Sequence, residues 1–452
     1  MAIYEALMGN PFVDSGVSAI CEYCEKEADQ ITQADLDKMI DNLAPLMCTP
    51  AWSKNLFSIF PNSAVTNPAN KRKDIAELLK SNWKRHLSAI EELSQTGDCA
   101  GCGRRSANLH LTKTDLPLTG SGELRNFFPL FGAGAGYCSA CALAIQFAPL
   151  AFATSAGRFI MVHSNCWKWQ RVWTRRCMEY VNKQINLKDY TGCYNPGSTN
   201  GRNSFFMMTD ELMSRYEARW SNENATMQIY YFTNYNQGPE LNIYLLPAEV
   251  FRFLAYVHER HFQSAWKEIV RSGYLKVNWD KVQSEDEYKN KTNLVYEKLL
   301  KGKSILGFFL NHKERQVRGD WELVTLYLKE VHKMSESRLE TIKRIGDGIA
   351  DCIKQSGNAK RLGQLERAVR YPELRNVLLR IIRDRIAQGQ ENPLFTLDEY
   401  MEYLFPESAD EFTNWKETRD LLLFRIYETL HSWLKDQELP EVIEEPEEKT
   451  EG

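Results

Sequence analysis

Cys99-Ala100-Gly101-Cys102-Gly103 and Cys138-Ser139-Ala140-Cys141 are two Cys-x-x-Cys pairs, separated by 35 residues. Two intervening residues let a tight turn point both thiolates at one ion, and two such turns complete the four-cysteine shell that Zn²⁺ prefers in structural sites. Gly103 and the glycines of 132–136 permit the tight backbone that such turns need. Four cysteine ligands leave no position for water, so we expect structural zinc. Two unrelated reduced pairs are the alternative.

Cys21-Glu22-Tyr23-Cys24 is a third pair with the same spacing. Val17 and Ile20 share one helical face with these two cysteines, so the pattern predicts an amphipathic helix with its thiols in the core. A competing metal role is the alternative. No preceding strand or βαβ pattern supports a thioredoxin-like role.

Composition indicates an ordinary soluble protein of two to four domains. The chain has 452 residues, of which 43% are hydrophobic and 26% charged, with a net charge of −4. Apolar runs are far shorter than the roughly 18 residues of a membrane span. No basic region precedes an apolar stretch at the start, so we expect no signal peptide, a cytoplasmic location and no membrane partner. Eleven cysteines in a reducing compartment then favour core or metal-ligand roles.

The pattern along the chain predicts an α+β N-terminal region with a Cys₄ zinc-finger insertion, followed by an all-α C-terminal helical bundle. β-rich runs at 228–232 and 241–246 suggest a hairpin. We place the α+β region at 1–333, with the zinc finger at about 95–145, and the bundle at 334–439. Residues 440–452 carry six Glu against one Lys and are expected to form an acidic disordered tail.

Known catalytic signatures are missing from the sequence. There is no G-x-S-x-G, H-E-x-x-H or Walker A motif; Gly302-Lys303-Ser304 ends like a P-loop, but Glu297 stands where the first glycine is required. We therefore expect a protein that is not an enzyme and has no catalytic residues. The alternative is a zinc-stabilised nuclease or nucleic-acid-modifying enzyme with an unrecognised active site. A zinc-ribbon adaptor without DNA contact is a second rival.

Basic segments are the candidate nucleic-acid contacts, because cations bind phosphates and aromatic rings can stack on unpaired bases. Residues 158–178 hold five cations, no acid and three interleaved tryptophans, and residues 354–385 hold nine cations against three acids. Solvated helix faces, with the tryptophans in the core, are the alternative. The candidate cations are Lys71, Arg72, Lys73, Arg104, Arg105, Arg158, Lys168, Arg171, Arg175, Arg375, Arg380 and Arg383.

The opening Gly9-Asn10-Pro11-Phe12-Val13-Asp14-Ser15-Gly16, the two cysteine pairs and the helical C-terminus together resemble a known family. They are similar to the CXXC-CXXC family of CRISPR-associated proteins, the large subunit of type I-B Cascade. The resemblance implies a non-catalytic subunit that reads the protospacer-adjacent motif on duplex DNA, assists unwinding and R-loop formation, and guides the displaced strand.

The resemblance also implies partners. They are crRNA, target double-stranded DNA and its displaced strand, the backbone, handle-capping and small subunits of Cascade, and helicase-nuclease or transposition proteins.

Asn10 and Phe12 are the candidates for contact with the DNA motif. The Asn10 amide can donate and accept at base edges, and Phe12 could act as a wedge. The Gly9-Asn10-Pro11 sequence is also strong turn chemistry, in which Asp14 or Ser15 could cap the following helix. Small subunits of type I-B systems are often made by internal initiation, so the resemblance also predicts a second product starting near Met334.

Overall fold

The structure is a computed structural model, and it falls into two compact units. The first contains Met1–Phe251 and Trp279–Lys291, and the second contains Arg252–Asn278 and Thr292–Gly452. The residues that the structure describes are 2–70, 73–91, 97–128, 131–197, 200–215, 225–235, 238–259, 261–357, 359–406 and 414–437. The predicted acidic tail, 440–452, lies outside them.

The first unit combines helices with strands that follow one another in pairs. Its helices are α1 (Pro11–Cys24), α2 (Gln33–Met47), α3 (Pro50–Phe57), α4 (Ile75–Ser88), α5 (Ser139–Phe147), α6 (Trp167–Leu187) and α7 (Gly201–Arg215), and α8 (Ala248–Glu259) begins in it. Its strands are β1 (Leu109–Leu111), β2 (Ala135–Tyr137), β3 (Ala153–Ser155), β4 (Arg158–Ser164), β5 (Met227–Tyr235) and β6 (Gly238–Leu246).

The second unit is largely helical, which confirms the predicted fold class. Its helices are α9 (Gln263–Ser272), α10 (Leu294–Leu300), α11 (Trp321–His332), α12 (Glu336–Ser356), α13 (Lys360–Glu366), α14 (Tyr371–Ala387), α15 (Leu397–Glu399) and α16 (Asn414–Lys435). A π-helical turn, Tyr400–Leu404, follows α15, and the short strands β7 (Leu310–Asn311) and β8 (Gln316–Val317) form a hairpin.

Asn10 is the residue that starts α1. Its Oδ1 accepts hydrogen bonds from the backbone N–H groups of Phe12 and Val13, at 3.1 and 3.2 Å, and Pro11 occupies the first helical position. The sequence prediction of Asp14 or Ser15 as the cap is therefore wrong by one helical turn. Both residues are buried inside the helix.

The four-stranded sheet has the order β3-β4-β5-β6 with antiparallel neighbours. The predicted hairpin is confirmed as β5 and β6, whose register pairs Phe232 with Leu241. Phe159 on β4 faces Phe232, and the rings of Phe12 and Phe152 pack edge-on against Phe232 at 5.9 and 5.7 Å. This aromatic cluster joins the sheet to α1.

α1 lies at the centre of the first unit, between α5, α6 and β4. Gly16 allows the close approach to α5: a Cβ atom there would stand 1.9 Å from the carbonyl oxygen of Ala144. On the side of α6, the Ser18 hydroxyl donates to Thr174 Oγ1 at 2.8 Å. Small side chains on α1 thus set the spacing of three helices.

Three helices of the second unit run in the same direction. Arg338 and Glu417 form an ion pair near the starts of α12 and α16, and Arg425 binds Asp347 further along both. α14 ends beside the second half of α12, where Gln388 donates to the Cys352 carbonyl. The carboxyl ends of α12, α14 and α16 therefore lie at one end of the bundle.

The predicted boundary at 333/334 is not where the two compact units divide, because the second unit begins at Arg252. The Met334 N–H donates to Leu328 O at the end of α11. Arg315 donates to the buried carboxylate of Glu366 on α13 at 2.7 and 3.0 Å. A product beginning at Met334 would lack the arginine that neutralises Glu366; the second product stays a prediction.

Among the described residues, no helix is both long and apolar enough to cross a bilayer.

Gly16→Ala is expected to lower the free energy of unfolding of the first unit by about 3 kcal/mol, because the new methyl group overlaps backbone and forces α1 and α5 apart. Gly363→Ala is the matched control: it is also a helical glycine, and its Cβ would meet no atom within 4 Å. We expect the control to be neutral or to stabilise by up to about 1 kcal/mol. Denaturant unfolding measures both free energies, and equal stability of the two variants would contradict the close approach of Gly16 to the backbone of Ala144.

Candidate metal centre

An isolated β-bridge and a glycine in the left-handed conformation shape the chain around the first cysteine pair. Asp98 and Ser106 form an isolated antiparallel bridge, which closes the chain into a knuckle around Cys99 and Cys102. Gly103 follows with φ of 62°, a left-handed conformation that glycine adopts without strain.

The second pair is at the junction of a strand and a helix. β2 pairs with β1 and ends at Tyr137, Cys138 is the N-cap of α5, and Cys141 is in the first turn of that helix. The β1–β2 ladder therefore delivers Cys138 to the knuckle, and the helical turn brings Cys141 to the same side.

All four Sγ atoms lie within 4.8 Å of one another. A tetrahedral zinc with Zn–S distances of about 2.3 Å requires sulfur–sulfur separations of about 3.8 Å, so this cluster needs little adjustment to hold one ion. Cys99 Sγ also accepts hydrogen bonds from the backbone N–H groups of Gly101 and Cys138, at 3.3 and 3.1 Å. In the described part of the chain, this is the one group of His, Cys, Asp or Glu that gathers three or more potential metal ligands.

Hydrogen bonds among the four thiols shift their pKa values in opposite directions. Hydrogen bonds from Cys138, Cys141 and Cys99 lower the pKa of Cys102, whereas hydrogen bonds with Cys102 and Cys99 raise the pKa values of Cys138 and Cys141. Four thiolates this close repel one another, so full ionisation needs a cation between them. A divalent ion satisfies that need, and the four-sulfur donor set fits a soft, tetrahedral metal such as zinc.

The third cysteine pair is part of the α1 core, as its helical pattern predicts. Cys21 is fully buried and Cys24 is half-buried, and burial raises their thiol pKa values to about 12 and about 11. Both thiols are therefore protonated at neutral pH and serve packing.

The N-terminal segment lies against the cysteine cluster. The buried Tyr4 hydroxyl donates to Ala140 O at 3.1 Å, and Arg105 Nη2 donates to Ala2 O at 2.7 Å. Asn10 Nδ2 donates to the Tyr137 hydroxyl at 3.2 Å. Residues 2–10 are thus attached to both halves of the cluster.

The two predicted motif contacts have structural roles in the free chain. The side-chain Oδ1 of Asn10 caps α1, and its side-chain Nδ2 donates a hydrogen bond to the Tyr137 hydroxyl. Phe12 is half-buried in the aromatic cluster with Phe152 and Phe232. The sequence predicts the turn at Gly9-Asn10-Pro11. It does not reveal the hydrogen bond between Asn10 and Tyr137, because these residues are 127 positions apart. Contact of Asn10 or Phe12 with DNA stays a prediction.

The other predicted cations of residues 71–105 fall into three groups. Lys71 and Arg72 lie outside the described residues, and Lys73 is exposed. Arg104 is half-exposed and pairs with Glu5. Arg105 is committed to backbone carbonyls, which makes it a structural group.

The basic face predicted on residues 158–178 is largely neutralised. Glu22 on α1 is only 9% exposed and binds both Arg171 and Arg175, the latter at 3.0 Å. Arg158 on β4 pairs with Glu240 on β6.

Two of the tryptophans in the same segment, Trp169 and Trp173, are buried, so the core alternative is confirmed for them. Lys168 is exposed at the start of α6. Local spacing could not reveal Glu22, because it lies about 150 residues earlier.

The three candidate arginines on α14 are not neutralised in the way that those of residues 158–178 are. Arg375, Arg380 and Arg383 are exposed, and none of them forms an ion pair or hydrogen bond with another described residue. The two acids of this helix, Glu373 and Asp384, are instead bound by arginines from outside it or before it. The basic surface predicted for residues 354–385 is thus smaller than the number of cations in the sequence suggests. Its three exposed arginines are nevertheless accessible to a ligand.

Cys102→Ser is expected to reduce bound zinc from about one ion per chain to well below one and to lower the thermal midpoint, because metal binding contributes directly to folding free energy. Cys24→Ser, which removes a thiol from the third pair, is the matched control and should leave both values close to those of the unchanged protein. Elemental analysis and thermal unfolding measure the two quantities. A fully folded protein that contains no metal would contradict the assignment.

Comparison with models of known protein families gives a match to part of the chain. The model of a family described as "CRISPR-associated protein (Cas_CXXC_CXXC)" matches residues 92–153, about a seventh of the chain. No curated protein matches the chain. The matched segment contains all four clustered cysteines and extends through α5. In the segment that holds its metal-compatible centre, the chain is therefore similar to the CXXC-CXXC family of CRISPR-associated proteins.

Proposed function

We propose that this protein is the non-catalytic large subunit of a type I-B CRISPR RNA-guided complex, which reads the protospacer-adjacent motif on duplex DNA and assists R-loop formation. One observation carries the proposal: the four-cysteine cluster lies in the segment similar to a CRISPR-associated family, and Tyr137, the residue before Cys138, accepts a hydrogen bond from Asn10 of the N-terminal turn. A rigid loop attached to a metal centre is a suitable support for contacts to a duplex.

Zinc is the proposed ion, held by Cys99, Cys102, Cys138 and Cys141. When bound, it supplies cross-linking energy to a segment that has little regular structure of its own. The residues of the protein hold the turn itself. The knuckle fixes Tyr137, the Tyr137 hydroxyl accepts a hydrogen bond from Asn10, and the N-terminal turn is thereby held in one position.

Phosphate and base contacts have separate roles in this proposal. Phosphate contacts set affinity and register without reading sequence, whereas base-edge contacts discriminate. Lys73 and Arg104, which are exposed or half-exposed near the cysteine-bearing segment in sequence, suit the first role. Asn10 suits the second, provided that its amide exchanges the Tyr137 hydroxyl for a base.

The displaced single strand is proposed to follow the exposed arginines of α14. Base pairing between crRNA and target reads the sequence in such a complex, and protein reads the motif and the nucleic-acid shape. The partners that follow are crRNA, duplex DNA, the backbone, handle-capping and small subunits, and a helicase-nuclease or transposition proteins that act afterwards.

Co-purification from the native gene cluster tests the assignment. The chain should be isolated with crRNA and neighbouring subunits, and the complex should bind target duplexes with one flanking motif more tightly than the same targets without it. Isolation as a single chain without RNA would contradict the proposal. Metal-dependent DNA cleavage by the isolated chain would favour an enzyme instead.

Asn10→Ser separates base reading from helix capping, because serine caps a helix about as well as asparagine but has no amide. In the assembled complex, the variant should lose about 1–3 kcal/mol of binding free energy for the correct motif and relax preference at one position. Binding assays across motif variants measure this. Tyr137→Phe, which removes only the intramolecular partner of the amide, is the control and should retain the preference. Unchanged preference in Asn10→Ser would exclude this residue as a reader.

Replacing Arg375, Arg380 and Arg383 together by Gln should weaken single-stranded DNA binding for all sequences alike. Because each phosphate contact on a single strand contributes about −0.7 to the slope of log affinity against log salt, the slope should become less negative by about 2. The control is the same change at Lys267, Lys303 and Lys313, exposed cations of the second unit that are not on α14. Equal salt slopes for both triple variants would refute a role for the α14 arginines.

A further inference from the structure

The exposed face of α14 carries apolar as well as basic side chains. Leu379 and Ile386 are 43% and 67% exposed, whereas Leu374 and Ile381 on the opposite face are buried. Residues on the exposed face recur every three or four positions, as a helix surface requires. They are Pro372, Arg375, Asn376, Leu379, Arg380, Arg383, Ile386 and Ala387.

A nucleic-acid backbone alone does not account for this face. Phosphates satisfy the three arginines, but they leave two large aliphatic side chains in water. A ligand that matches the whole surface must offer negative charge and apolar groups at alternating positions.

The C-terminal residues 438–452 have that composition. They contain seven Glu and one Lys, and they also contain the aliphatic residues Leu439, Val442 and Ile443. The acidic residues stand beside and between the apolar ones, so one extended segment can present both chemistries to α14.

The helix that precedes this segment, α16, ends at the same end of the bundle as α14. α16 runs parallel to α12, since Arg338 pairs with Glu417 and Asp347 with Arg425. α14 ends at the same end of α12, where Gln388 contacts Cys352. The chain therefore leaves α16, after Gln437, at the end of the bundle where α14 also ends.

The length of the segment is sufficient. Fifteen extended residues span about 50 Å, whereas the 17 residues of α14 rise about 25 Å. The apolar spacings also agree: Ile386 and Leu379 lie about 10 Å apart along the helix, and Leu439 and Ile443 lie about 13 Å apart in an extended chain. A segment running back along α14 would meet Ile386 first and Leu379 second.

We propose that residues 438–452 dock along the exposed face of α14, with Leu439 and Ile443 on Ile386 and Leu379 and with their glutamates on the three arginines. The segment then occupies the surface that the proposed function gives to single-stranded nucleic acid, and the two compete. Docking itself depends on α14 and the segment alone; the competition also rests on the proposed function.

Site-specific photo-crosslinking in the full chain tests the docking. A photoreactive phenylalanine derivative at position 443 should cross-link within one chain to residues 371–387, and Arg375→Glu with Arg380→Glu and Arg383→Glu should reduce the yield at least fivefold. Lys313→Glu, on the β7–β8 turn, is the matched charge-reversal control and should leave the yield unchanged. Cross-links to other elements overturn the proposal, and so do cross-links only between chains in a mixture of isotope-labelled and unlabelled protein.

Binding of an oligothymidylate tests the competition. A chain ending at Gln437, which keeps every described helix, should bind about tenfold more tightly than the full chain at 50 mM salt, and the difference should vanish at 500 mM salt. Full chain with Glu→Gln at positions 441, 444, 445, 447 and 448 should behave like the shortened one. Equal affinities of all three proteins overturn the competition. If no protein binds the oligonucleotide, the proposed function of the α14 arginines fails, while the cross-link still decides the docking.

Discussion

The convergence of four cysteine sulfurs from two distant segments is the constraint around which this part of the first unit is built. The four sulfur atoms within 4.8 Å of one another can all be ionised only around a cation. The cluster lies where β2 meets the start of α5, and the N-terminal residues are attached there through Tyr4 and Asn10. α5 in turn packs closely on α1 at Gly16, so the metal-compatible centre is connected to the central helix of the unit through this contact as well as through Asn10.

A buried carboxylate reinforces the same region. Asp14 on α1 is fully buried and accepts hydrogen bonds from the backbone N–H groups of Met8 and Gly9, at 2.6 and 3.1 Å, and lies 2.8 Å from His163 Nε2. A buried charge is tolerated when donors surround it. Asp14 therefore couples the N-terminal turn to β4, and together with the Asn10 cap it holds the turn from both sides.

Local patterns in the sequence predicted the parts of the fold that depend on local chemistry. The Cys99 and Cys138 pairs, the β5–β6 hairpin and the helical character of the C-terminal region are predicted correctly, because spacing and periodicity determine them. The Asn10 cap was missed because Asp14 and Ser15 are equally good capping types, and long-range contacts with Tyr137 and His163 decide between them. A long-range contact also explains why the charge count of residues 158–178 overestimates the available cations. Glu22, which lies on α1, neutralises Arg171 and Arg175.

The position of α1 has a consequence for synthesis on the ribosome. Its hydrogen-bond partners on β4 and α6 come about 150 residues later in the chain, as in the contacts of Asp14 with His163 and of Ser18 with Thr174. At about 5–20 residues per second, roughly 8–30 s pass between the emergence of α1 and that of its partners. Such long loops slow folding, since their closure entropy is lost before the contacts form. Val13, Val17 and Ile20, which are fully buried in the folded unit, therefore complete their packing only after α5, β4 and α6 have been synthesised.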